Sequence, residues 1–232
     1  NTLIGKNAGG AMTISRYSTA VGIGALGAED VGDQSTAIGY AAMASQNSDS
    51  NNEATRNTGV GHQAGYYNVT GQDNTYIGYK VGNGASGQSN SNNTAVGSNA
   101  LLSITDGGEN VAIGNATGDA LTTGHNISSA GRAAGSATVE VSDAVIIGAD
   151  AAESNMTTAA NGTVAVGKAA LASLTSGGGN VAVGYAALDA VAGGSHNVAI
   201  GYDALTTAAG NASHNTAVGR DALKTWNVDG DG

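Results

Sequence analysis

The chain of 232 residues has no cysteine, no proline and no phenylalanine, one tryptophan, and only eight Lys and Arg. Without cysteine there is neither a disulfide framework nor thiolate–metal chemistry. Without proline, and with no strict Gly-x-y period, polyproline and collagen structure are excluded, so turns fall to glycine. The scarcity of large aromatic side chains excludes a conventional thick core and leaves Val, Ile, Leu and Ala to build a thin one. A formal net charge of −10 offers no basic stripe for nucleic acid, and no nucleic-acid partner is expected. No apolar run reaches the length of a membrane-spanning helix, so no membrane insertion is expected either. The first residues carry no basic-then-apolar leader pattern; they begin inside a repeat, at Asn1-Thr2-Leu3-Ile4-Gly5, and read as a piece of a longer protein.

What is abundant is glycine, 38 residues, and one recurring phrase. Asn215-Thr216-Ala217-Val218-Gly219 has close relatives at Asn93–Gly97, Asn110–Gly114, Asn180–Gly184 and Asn197–Gly201. Aligned on the closing glycine, thirteen copies end at Gly5, Gly22, Gly39, Gly61, Gly78, Gly97, Gly114, Gly131, Gly148, Gly167, Gly184, Gly201 and Gly219. Eight of the twelve intervals are 17 residues and the other four are longer. A constant period broken only by insertions describes a solenoid in which each repeat is one coil.

The residue before each glycine is Ile or Val, with Ala130 the exception, and the third before it is mostly Thr or Val. Between them stands a small residue such as Ala20, Ala37, Ala95, Ala165 or Ala217. Two β-branched positions two apart share one face of a strand. This reading turns Thr216 and Val218 toward the interior and Ala217 to the outer face. Three places after the glycine Ala stands in eleven of thirteen copies, and Met12, Ile104, Leu121, Leu174, Val191 and Trp226 are apolar seven places after it. The pattern predicts two short strands per coil, the second crossing back over the first, joined by glycine turns such as Gly177-Gly178-Gly179. The Asn before each phrase (Asn57, Asn74, Asn93, Asn110, Asn180, Asn197, Asn215) reads either as an amide ladder along the stack or as a turn residue in left-handed φ. About 13 coils at strand spacing make a segment roughly 60 Å long. The whole of 1–232 reads as one repetitive β-roll segment, with polar insertions near 45–56 and 84–92 and a degenerate coil near 125–135, where Ser128-Ser129-Ala130 replaces the apolar pair.

The repeats NTAVGSNAL at 93–101, NVAIGYDAL at 197–205 and NTAVGRDAL at 215–223 resemble the head repeats of trimeric YadA-type adhesins, and still more the arrays of bacteriophage tail-fibre proteins. The resemblance spans essentially the whole chain and implies a left-handed parallel β-roll, three chains packed side by side as a homotrimer. The 17-residue period is longer than the compact adhesin coil, which favours the fibre version. The function implied is that of a structural and adhesive fibre segment, most nearly a phage tail fibre in host attachment, located on the virion or at the cell surface. A host-surface glycan or protein receptor is the implied partner besides the chain itself. A bacterial trimeric adhesin head is the nearest alternative.

Motifs for chemistry are weak. Gly22-x-Gly24-x-x-Gly27 and Gly82-x-Gly84-x-x-Gly87 match a dinucleotide fingerprint, as chance allows at this glycine content, but neither opens an amphipathic helix. Gly162 to Lys168 imitates a phosphate loop, with Ala169 where Ser or Thr must hold magnesium. Asn227-x-Asp229-x-Asp231-Gly232 resembles the start of a calcium loop. His125, His196 and His214 read as preceding the phrase by the same step, and the last two belong to neighbouring coils. Polar turn residues are the preferred reading of both motifs, so no metal site and no cofactor are assigned. No carboxylate pair recurs at a fixed coil position and no Ser has an identifiable base, so no enzyme activity is expected. An acyltransferase coil would need an apolar residue every six positions, yet Asp189 and Thr206 stand six beyond Val183 and Ile200. Directly after the glycines, Tyr40, His62, Tyr79, Arg132, Lys168, Tyr185, Tyr202 and Arg220 form a candidate contact stripe. An ice-binding solenoid is the alternative of another class, held back because the Thr position is expected to face inward.

Overall fold

The computed structural model describes residues 1–50, 53–207 and 212–225. It is an all-β parallel solenoid of about 12 coils, with contacts that divide it into two units, Asn1–Ala116 and Thr117–Gly232. The first unit holds β1 Thr2–Ile4, β2 Thr19–Val21, β3 Thr36–Ile38, β4 Thr58–Val60, β5 Thr75–Ile77, β6 Thr94–Val96 and β7 Val111–Ile113. Each pairs in parallel with the next, and equivalent repeat positions fall opposite one another, for example Ala20 with Ala37 and Thr94 with Val111. The second unit repeats the arrangement with β8 Ser128–Ala130, β9 Val145–Ile147, β10 Val164–Val166, β11 Val181–Val183, β12 Val198–Ile200 and β13 Thr216–Val218. The degenerate coil still forms β8, and Ser129 lies opposite the fully buried Ile146, a small residue beside a large one.

Two expectations are corrected. Each described coil contains one three-residue strand, not two. The return path is instead built from left-handed residues two and four places after the closing glycine: Ala169 and Leu171, Ala186 and Leu188, Asp203 and Leu205 have φ between 50° and 57°. Left-handed φ at a non-glycine residue costs on the order of 1–2 kcal/mol. Burial of Leu171, Leu188 and Leu205, each 0% exposed, offsets it at about 1.5–3 kcal/mol per side chain. The same residues bond the next coil, Leu171 N–H to Ala187 C=O and Leu188 N–H to Ala204 C=O, both at 3.0 Å.

The second correction concerns the faces of the strands. Ala217 is 2% exposed and points inward, whereas Val218 is 65% exposed and Thr216 is also exposed. The same holds along both units, where Ala20, Ala37, Ala95, Ala165, Ala182 and Ala199 are fully buried. The interior is thin because Leu side chains enter it from the opposite wall, and only a small residue fits between them and the strand. Ile104, Leu121, Leu174 and Val191 complete this core as their spacing suggested; Trp226 lies outside the described residues. Where the inward residue is large, its surroundings shrink. Tyr76 in the middle of β5 is fully buried opposite Gly59, and a Cβ on Gly82 would lie 2.5 Å from its ring, one on Gly65 3.0 Å from it.

The closing glycines all have φ between 124° and 141°. They stack so closely that a Cβ on Gly5 would lie 2.6 Å from the carbonyl oxygen of Gly22. The Asn column is a buried amide ladder. Asn74 donates from Nδ2 to Asn57 Oδ1 at 3.1 Å, while its own Oδ1 accepts the Asn93 N–H at 3.0 Å. Asn197 and Asn215 continue the pattern on Asn180 and Asn197 at 3.0 and 2.9 Å. The left-handed φ belongs instead to the residue before it, as at Arg56, Asp73, Asn92 and Glu109.

The insertions are anchored rather than wholly exposed. In the first, Gln46, Ser48 and Thr55 are buried. There the buried Glu29 carboxylate accepts from Gly32 N–H at 2.7 Å, Gln46 Nε2 at 2.8 Å and Ser48 Oγ at 3.3 Å. Asn51 and Asn52 lie outside the described residues. In the second, Val69 N–H bonds Gln88 C=O at 3.0 Å and ties the loop to the coil before it.

Candidate interaction surfaces

Because the middle residue points inward, every strand except β8 presents two β-branched residues outward. In the first unit the columns are Thr2, Thr19, Thr36, Thr58, Thr75 and Thr94 beside Ile4, Val21, Ile38, Val60, Ile77 and Val96, aligned by the strand register. In the second unit Val145, Val164, Val181 and Val198 run beside Ile147, Val166, Val183 and Ile200. Ile38, Ile77, Ile147 and Ile200 are 40–43% exposed, an apolar surface repeated on coil after coil.

The contact stripe separates into patches. In the first unit Tyr40, His62 and Tyr79 stack, with centroids 5.0 and 5.3 Å apart and planes within 26°. In the second, Tyr185 stacks on Tyr202 at 4.9 Å and the Arg220 guanidinium lies 5.3 Å from the Tyr202 centroid. Coil spacing produces these stacks and covers the ring faces they share, so the columns present mostly ring edges and hydroxyls. Arg132 pairs with Asp150 at 2.5 Å, and Lys168 is exposed.

The glycine-rich motifs are absorbed by the coil. Gly22 packs on Gly39 of the next repeat, and the Gly162–Lys168 stretch contains β10, with Gly167 packed on Gly184. His196 and His214 face each other across neighbouring coils at 5.3 Å. His125 stands one residue earlier in its coil, because its following residue, Asn126, is the left-handed residue before the ladder position held by Ile127. Among the described residues no group of three or more His, Cys, Asp or Glu could hold a metal ion. The calcium-like pattern beginning at Asn227 lies outside them. A surface depression is lined by Val139, Glu140, Asn155, Met156 and Thr157.

Sequence reasoning passed over a tyrosine doublet. Tyr66 and Tyr67 meet edge to face, centroids 4.5 Å apart at 83°, on the corner of the coil beside both insertions. They occupy a column whose identity varies from repeat to repeat, so alignment of the phrase gave no signal; an aromatic pair in a chain with eight Tyr was the available one.

Electrostatics gives the solenoid an unusual pH response. Burial pushes the Glu53, Asp119 and Asp189 carboxyls up, aided by Asp49 and Glu29 at Glu53 and by Asp203 at Asp189. The hydrogen bonds from Arg56 hold Asp73 down. Raised carboxyls contribute stability that is complete below their ordinary values of 4.5 and 3.8 and is lost as pH rises through the raised ones. Asp73 works oppositely, and its contribution disappears as pH falls below 3.8 through the depressed value. Acidification also reduces the repulsion within a net charge of −10. The melting temperature is therefore expected to rise modestly as the pH falls from neutral toward the ordinary carboxyl values and to fall again only in stronger acid, which calorimetry across that range checks.

No protein-family model, no curated protein and no solved structure matches the chain.

Proposed function

We propose that the chain is a segment of a homotrimeric structural and adhesive fibre, of the kind that phage tail fibres use in host attachment, with left-handed coils of three copies packed side by side. The single observation that carries this reading is the outward β-branched face. Exposed apolar surface that extends in register along a solenoid is a self-association surface far more readily than a solvated one. Three copies around a symmetry axis close the assembly and leave no open face to propagate. Continuous backbone ladders and buried Asn columns then resist forced unfolding and proteolysis, which is what a shaft must do. The resemblance of the NTAVG-type repeats to tail-fibre and adhesin arrays supports the same reading.

The test is a charge placed on that face. Val183→Lys with Ile200→Lys is expected to leave a separated chain folded, since both side chains lie on the outer face, Val183 half-buried and Ile200 41% exposed. In the assembly it buries two ammonium groups per chain and is expected to dissociate the trimer at least about 100-fold more readily, read by sedimentation at graded concentration. An unchanged assembly would remove the face from the interface.

Ice binding is a second reading that one observation favours: the six consecutive Thr of β1 to β6 face outward, on strands about 4.8 Å apart. A flat, regular hydroxyl-and-methyl array of this kind can order water. Thermal hysteresis in dilute solution is the expected sign, and its absence removes the reading.

A further inference from the structure

We propose that the corner carrying Tyr66, Tyr67 and Asn83, beside the 84–92 insertion, is a binding subsite for a neutral oligosaccharide; the inference rests on the adhesive reading above and gives it a receptor class. Three observations converge there. The first is the edge-to-face tyrosine pair, half-buried and held by its backbone: Ser45 N–H bonds Tyr66 C=O and Tyr67 N–H bonds Asn83 C=O, both at 3.1 Å. Unlike the stacked columns, an edge-to-face pair does not cover both rings with each other, and it leaves a ring face able to take the C–H face of a sugar.

The second is Asn83. It is 8% exposed, and its Oδ1 is buried without a hydrogen-bond partner. An orphaned buried carbonyl costs about 1–3 kcal/mol; because this oxygen is covered in the free chain, the Asn83 side chain has to turn outward for a ligand hydroxyl to pair with it and regain that energy. The third is the rigid rim. Thr70 Oγ1 and N–H bond Ser89 Oγ at 2.8 and 3.1 Å, and the Gln88 amide nitrogen is held by Asp106 at 2.9 and 3.1 Å. The insertion that begins at Gly84 is thereby fixed on one side to the coil that carries the tyrosines, through Thr70, and on the other to the following coil, through Asp106.

Ring, buried acceptor and hydroxyl rim are the complement of a polyhydroxylated ring. The net charge of −10 and the carboxylate of Asp106 disfavour an acidic glycan. The ligand class that remains is a neutral sugar chain.

The experiment uses the full chain and four probes: cellopentaose, maltopentaose, N-acetylchitopentaose and, as the anionic control, sialyllactose. Saturation-transfer NMR and calorimetric titration are expected to show binding of at least one neutral probe with tyrosine-ring contacts, and none of sialyllactose. Tyr67→Ala and Asn83→Ala are each expected to weaken that binding about tenfold. Asn83→Ala should meanwhile leave the melting temperature unchanged or higher, because it removes an unpaired oxygen. Should Tyr67→Ala fail to fold, Asn83→Ala and Tyr67→Leu carry the test. No binding of any neutral probe up to ~10 mM, or equal binding by the variants, overturns the subsite. The sedimentation mass of the same samples reports separately on the trimer, so a trimeric chain that binds no sugar refutes the subsite alone.

Discussion

Gly167→Ala is expected to cost ~4 kcal/mol or more and to break the second unit between β10 and β11. The reason is local and double. At φ 134° a residue with a Cβ is strained in any surroundings, and here the added carbon would lie 2.6 Å from the carbonyl carbon of Gly184, against backbone that cannot step aside. Gly5, Gly22, Gly39, Gly61, Gly78, Gly97, Gly131, Gly148, Gly184 and Gly201 are held by the next coil's carbonyl in the same way, so relief at one coil transfers the clash to the next. Gly162→Ala is the control within the same repeat. Its φ is 73° and nothing lies within 4 Å of the added carbon, so only the conformational cost of about 1 kcal/mol is expected. Chemical denaturation of both variants checks the contrast, and costs within 1 kcal/mol of each other would contradict it.

The second large effect is at Tyr76. Tyr76→Ala is expected to destabilise the first unit by about 3–5 kcal/mol, because Gly65 and Gly82 abut the ring and neither has a side chain to fill the space left. The phenol also donates to Asn90 Oδ1, and to Asn74 Oδ1 at 3.2 Å, so the loss reaches the amide ladder. Burial pushes the Tyr76 hydroxyl far above its ordinary range, so it stays protonated and keeps donating even in alkaline solution. Tyr76→Phe, which keeps the ring, is expected to cost only about 1–2 kcal/mol. A double-mutant cycle sharpens the test. Gly82→Ala alone drives a methyl into the ring, whereas after Tyr76→Ala the same methyl enters vacated space, so the two changes should couple by at least about 1 kcal/mol. Thermal melts of the four proteins give that coupling, and simple additivity would show that the ring does not fill the space between these glycines.

The chain is legible where one physical requirement recurs at a fixed interval. The closing glycine and strand formation around Thr216 to Val218 recur in every coil, and both were readable; the amide ladder through Asn74, one of two readings of its column, runs only where Asn recurs and is broken at Ile127, Ala144 and Thr163. The direction of the strand faces was not. An alternation of Ala with Val or Ile admits two parities, and hydrophobicity alone favours burying the larger residue. What reverses that choice is Leu171 and its equivalents entering from the far wall, and their left-handed φ carries no sequence mark because Ala, Asp and Leu occupy those positions. The contact stripe was legible as a column but not as separate stacks, since Ser98 and Asn115 interrupt it in the first unit and Ala149 in the second. Tyr66, Tyr67 and Asn83 stayed hidden because they lie in positions that the repeat leaves free to vary.

The reversed faces change what the repeat implies. Had the β-branched residues been internal, the outer wall would be a smooth Ala surface. With Thr, Val and Ile outside, each coil carries a strip of apolar surface that one copy leaves in water, and the fibre reading follows from covering it. Sedimentation equilibrium of the purified chain at several concentrations tests this most directly. The account predicts a stable species of three times the 22.3 kDa chain mass, about 67 kDa. A folded monomer that persists at high micromolar concentration would contradict it.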